Sequence, residues 1–114
     1  MVLSEIEEHL RRFVGREVVL HHYIEFASIL RLRITHPTEC DWYLSFAGCT
    51  YIRGPVRWQL GELDFSRNEA EFLVVEDGTV DFSVVCDSCH LITEKEYSNT
   101  ILRREVERLK GTTS

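Results

Sequence analysis

The chain has 114 residues, 44% of them hydrophobic and including two Trp, four Tyr and six Phe, which is enough apolar material for one core and too little for two. Nineteen acidic against 13 basic side chains give a formal charge of -6, a sign that repels phosphate backbones and anionic headgroups and argues against nucleic acid and membrane surfaces as partners. Net charge still permits a local basic patch, for which Arg31, Arg33, Arg53, Arg57, Arg103 and Arg104 are the available residues.

The acidic start, Met1 to Glu8, lacks the cationic and apolar regions of a secretory signal. Ser4 and Glu7 read as a capping box, and Ile6, Leu10, Phe13 and Val14 fall at helical spacing before Gly15, so a helix is predicted over 5–14. From 17 to 26, Val18, Leu20, His22, Ile24 and Phe26 share one face of a predicted strand. Leu30, Leu32 and Ile34 alternate with Arg31 and Arg33 in the next, and after the turn at His36-Pro37 a third places Trp42, Leu44 and Phe46 inward and Tyr43 outward. Cys49 to Arg53, Val56 to Leu60 and Leu63 to Phe65 continue the pattern across Gly54-Pro55 and Gly61. Asp77-Gly78 sits between Phe72–Glu76 and Val80–Val85 as the signature of a type I′ hairpin. Thr93 and Glu96 form a second capping box, and Leu102, Val106 and Leu109 predict a closing helix before Gly111.

These elements predict a single α+β domain over 1–114. Its antiparallel meander of about six or seven strands forms a barrel or half-barrel, with a helix at each end of the chain. No run reaches the ~18 apolar residues that span a bilayer, so a cytoplasmic protein is expected, with Cys40, Cys49, Cys86 and Cys89 reduced.

Cys86-Asp-Ser-Cys89-His90 is the one sharp local signature. It matches the covalent haem-attachment pattern, but that chemistry requires export, and Met1 is the only methionine, leaving no internal Met as a second axial ligand. The same spacing suits half of a zinc site, for which Cys86, Cys89 and His90 are the candidate ligands and Cys40, Cys49, His21 and His36 the further donors. Against both stands the simpler reading that Cys86 ends the buried face begun by Val80, Phe82 and Val84, with Asp87-Ser88 as a turn. His21 and His22, adjacent on a strand, point to opposite faces and do not chelate one ion together.

The aromatic set Trp42, Tyr43, Phe46, Tyr51 and Trp58 either packs a core or lines a small-ligand pocket. Tyr43, Tyr51, Arg53 and Arg57, expected outward, are the candidate contact residues for a protein partner, since exposed Tyr and Arg are typical of interfaces. No common nucleotide, zinc-protease or serine-hydrolase motif occurs, and the paired acids, Glu76-Asp77 among them, read as solvated faces, caps and turns. The expected function is a non-enzymatic interaction module without a cofactor, binding a protein with a basic surface and able to form a homodimer through short edge strands. A metal or thiol protein using Cys86 and Cys89 is the alternative, and a small-ligand barrel the third. In size and charge the chain resembles the small bacterial immunity proteins that neutralise toxins, a resemblance of bulk properties that no motif carries.

Overall fold

The computed structural model describes residues 2–96, so Leu102, Val106 and Leu109 of the predicted closing helix lie outside the described residues, while its start is described, helical at 94–96 with Glu96 N donating to Thr93 Oγ1 at 3.3 Å. Helix α1 (Leu3–Arg12) is followed by strands β1 (Glu17–Ile24), β2 (Ile29–Ile34), β3 (Trp42–Ala47), β4 (Tyr51–Arg53), β5 (Arg57–Gln59), β6 (Leu63–Arg67), β7 (Leu73–Asp77), β8 (Phe82–Cys86) and β9 (Ser88–Thr93). A 3-10 turn at Glu25–Ala27 links β1 to β2.

The helix forms where its apolar spacing predicts, with Ile6, Leu10 and Phe13 buried. Its start differs from the capping-box expectation. Val2 is the N-cap, its carbonyl accepts the amides of Glu5 and Ile6, and Ser4 lies inside the first turn where its hydroxyl no longer caps. The helix stops at Arg12, which leaves Val14 exposed, and Gly15 turns the chain at φ +91°, a conformation that favours glycine. Its amide donates to the Leu60 carbonyl.

Every strand pairing is antiparallel, and the strands fall into two sheets, β5-β1-β2-β3-β9 and β4-β8-β7-β6. The α+β meander stands, but the strands do not close a barrel. Instead, two arms run from one sheet into the other. β3 continues into β4 and β8 into β9, and the hydrogen bonds from Asp87 N to Ala47 O and from Thr50 N to Val85 O, 2.9 and 2.8 Å, carry their pairing round the corner. Gly48, at φ +67°, makes that corner; the Asp87 side chain occupies the space where a Cβ would project. Traced through the bend, the nine strands follow a seven-strand path, which is why the predicted count was lower.

The core lies between the sheets. Leu30, Leu32, Ile34, Leu44, Phe46 and Leu91 of the first meet Leu73, Val75, Phe82, Val84 and Cys86 of the second. Each such side chain contributes roughly 1.5–3 kcal/mol through water release. Strand β2 shows the half-buried alternation expected of it.

Two local expectations give way. In β1, the register slips between Leu20 and His22, so His21 is an extra residue and the face reverses beyond it. His22 therefore turns outward beside Arg31 and Tyr23 inward beside Leu30; Leu20, before the bulge, keeps the inward face opposite Leu32 yet is 38% exposed, and Phe26, in the 3-10 turn, is 95% exposed. At the predicted hairpin, β7 and β8 do pair, but Asp77 pairs with Phe82, which makes Gly78 to Asp81 a four-residue loop in place of a two-residue I′ turn. Asp81 takes the positive φ of 57°. The reason is Asp77 itself, whose side chain turns inward.

Candidate functional site

At the corner, β4 swings away from the β1–β2 hairpin and opens a wedge between the sheets. The last links across it are Cys49 N to Ser28 O at one end and Leu20 N to Val56 O at the other, 2.9 and 2.7 Å. Between them lies an open groove of about 430 Å³ with an almost wholly apolar wall of Leu20, Tyr23, Leu30, Cys49, Tyr51 and Ile52. On its side away from β8, β4 has no strand partner among the described residues, and β5 pairs with β1 there only at Glu17 to Val19. Two strand edges thus border the groove. The large apolar side chains left exposed also gather here: Leu20, Tyr23, Tyr51 and Ile52 in its wall, Val56 on the return loop and Phe26 on the neighbouring turn. Among the described residues only Val2 and Val14 are exposed elsewhere.

The opposite side of the same corner is filled. There α1 packs on β6 and β9, delivering Ile6, Leu10 and Phe13 into the core, with the Phe13 ring 5.4 Å from that of Trp42.

Of the residues singled out as partner contacts, Tyr51 lines the groove, and Arg53 and Arg57 stand exposed on either side of the return loop. Arg53 pairs with Asp81 at 2.7 Å and Arg57 approaches Glu17 at 4.0 Å. Tyr43 does not join them. It points outward from β3, opposite Arg33 and Ile92, yet is only 5% exposed, with the His21 ring set edge-on against it at 5.0 Å. Tyr23 was missed because the bulge at His21 reverses the face of β1 beyond it, Leu20 because alternation placed it inward without showing that the sheets part there, and Ile52 because β4 is too short to show a period.

The cysteine motif is divided between the two sheets. Cys86 ends β8 in the core and Cys89 is buried in β9, whereas His90, next along β9, projects from the opposite, solvent face. Burial pushes the Cys86 thiol up to about 12, helped by the nearby Cys49, Cys89 and Asp87 and opposed by Arg67. Burial, and then Glu7, pushes Cys89 up to about 11. Cys49 is raised by the same desolvation and donates to the Phe46 carbonyl at 3.3 Å. These are protonated thiols at neutral pH, a poor state for nucleophilic or redox chemistry. Among the described residues no group of three or more His, Cys, Asp or Glu side chains is arranged to hold a metal ion. Cys40 is exposed on its own loop.

The most consequential polar residue is Asp77, which pattern reading assigned to a solvated turn. It is 0% exposed. One carboxylate oxygen accepts from Trp58 Nε1 at 3.1 Å and Gly61 N at 2.8 Å, the other from Thr79 N at 3.0 Å and Thr79 Oγ1 at 2.6 Å. Asp77 therefore ties the β5–β6 bend to the β7–β8 loop. Four donors on two oxygens are what a buried carboxylate needs, so the arrangement is structural.

Comparison with known proteins assigns no family: no family model, curated protein or solved structure matches the chain. No helix among the described residues is long and apolar enough to cross a membrane.

Proposed function

We propose that this chain is a non-enzymatic protein-interaction module that receives, in the groove beside β4, an amphipathic helix of a partner protein with basic residues on its polar face. The observation that carries this reading is the likeness between the groove and the wedge α1 fills: the same bend opens both, and one already accepts an amphipathic helix through three apolar side chains. A partner helix with equivalent residues would cover Leu20, Tyr23, Tyr51 and Ile52 and leave its polar face in water, as helix-in-groove recognition does. The net charge of -6 selects basic flanks and speeds their encounter. A small apolar ligand fits the volume less well than it fits an enclosed pocket, because an open groove leaves one of its faces wet. The reading goes with a reducing compartment, the cytoplasm, where buried thiols stay free.

The test is a photo-crosslinking residue placed at Val56 and, as a control, at Glu69. A single heterologous protein captured from Val56 and not from Glu69 is expected. Its purified complex should carry a basic amphipathic helix and be weakened more than about tenfold by Ile52→Asp, since a carboxylate buried in an apolar contact is costly. Capture of this chain alone would make the groove a homodimer contact and overturn the proposal, as would equal binding by wild type and Ile52→Asp.

A further inference from the structure

The chain's negative charge is unevenly spread over its two outward sheet faces. On the second sheet, one cross-strand row reads Asp64, Glu76, Ser83 and Arg53. On the first, the corresponding row reads His22 on β1, Arg31 on β2, Ser45 on β3 and His90 on β9. The next row of that face adds Arg57, Val19, Arg33, Tyr43 and Ile92. Directly opposed residues have Cβ atoms about 4.5–5.5 Å apart, so the first row spans four strands as a continuous line of donors. Among the described residues, the acids approaching this face do so at its margins: Asp41, 3.9 Å from Arg33, and Glu17, near Arg57, both lie where β1 begins and β2 ends, and Asp87 lies at the far corner.

His21 registers the resulting field. Its pKa lies below the ordinary value because burial, then Arg33, then His22 and Arg31, disfavour its protonated form.

We propose that the His22–Arg31–Ser45–His90 row binds the phosphate group of a phosphate monoester. The Arg31 guanidinium supplies a planar fork of N–H donors that matches two phosphate oxygens. Ser45 lies directly beneath the bound group as a hydroxyl donor, and His22 and His90 flank it with ring N–H donors. Arg33, two residues along β2, adds charge. Arg31 need not be unengaged, because five N–H donors serve more than one acceptor. The acid-rich remainder of the chain disfavours a long polyanion but tolerates a single phosphate, since charges beyond about 8–10 Å are largely screened at physiological salt.

The test is a titration of ¹⁵N-labelled protein with inorganic phosphate, followed by NMR at constant ionic strength. Saturable shifts at His22, Arg31, Ser45 and His90 are expected. Arg31→Gln should weaken them about tenfold, as loss of a charge-assisted bidentate contact does, whereas Arg67→Gln on the second sheet should leave them unchanged. His90→Asn provides a second variant should Arg31→Gln disturb the fold, and it too should weaken binding. Tighter binding of O-phosphoserine than of ribose 5-phosphate would assign the group to a modified protein side chain, and the reverse to a free metabolite; either supports the site. Shifts that rise without saturation, or that sodium chloride reproduces, would show an adventitious ion only and overturn it. So would saturation by an RNA oligomer with none by phosphate.

Discussion

The two sides of the corner between the sheets share one origin and differ in outcome. On one side α1 enters with Ile6, Leu10 and Phe13 and seals the gap against β6 and β9. On the other, β4 diverges from the β1–β2 hairpin and nothing described enters, so Leu20, Tyr23, Tyr51 and Ile52 stay partly in water. A bent sheet buries its inner face only where something spans the bend, and among the described residues α1 spans one of the two openings and no element spans the other. The filled side buries its apolar residues, whereas the open side leaves its own in contact with water among the described residues.

Substitutions on the two sides should therefore separate by several kcal/mol. On the filled side, Leu10→Ala should cost about 2–5 kcal/mol in urea unfolding, because it removes a nearly fully buried side chain from between the sheets. A loss below about 1 kcal/mol would mean that the helix does not seal the corner. Asp77→Asn sharpens the contrast from within the sheets, since an amide nitrogen would face donors now held by a carboxylate oxygen. A loss of about 2–3 kcal/mol is expected, with altered Trp58 fluorescence. Cys86→Ser buries a hydroxyl among apolar neighbours and should cost about 1–2 kcal/mol in protein with or without a chelator. If a chelator alone destabilised the wild type by a similar amount, a metal would be holding the corner. On the open side, Ile52→Asp should stay within about 0.5 kcal/mol of wild type, as exposed substitutions do; a penalty approaching that of Leu10→Ala would erase the distinction.

The smallest effect is that of pH at His21. Its folded pKa lies below its ordinary 6.5, so the unfolded chain binds the proton better and stability is lost as pH falls from above 6.5 through the folded value. His21→Gln should flatten the melting temperature over that interval and change little at pH 8.

Much of this architecture was legible in local patterns. The helix stripe Ile6, Leu10 and Phe13, the alternation of β2, the pairing of β7 with β8 and the buried Cys86 each follow from periodicity imposed by a two-sided environment. Of the candidate site, Tyr51, Arg53 and Arg57 were visible as exposed residues on short strands. Tyr43 was read in the right direction but with the wrong exposure, because alternation reports which face a side chain takes and not what lies over that face. The groove itself had no local signature. It depends on one extra residue at His21 and on where β4 leaves its neighbours, and neither changes composition or period.

The amino-acid sequence by itself determined the α+β class, the antiparallel pairing and most of the core, since these rest on contacts between near neighbours and on the burial of one face. Only the tertiary structure decided that the sheet bends at Gly48 and Asp87 without closing. It also decided that Asp77 turns inward to four donors, and that Arg31 lines up with His22, Ser45 and His90 across four strands. Each of these brings together residues far apart in the chain, and their meeting is set by register and curvature, which sum over the whole sheet.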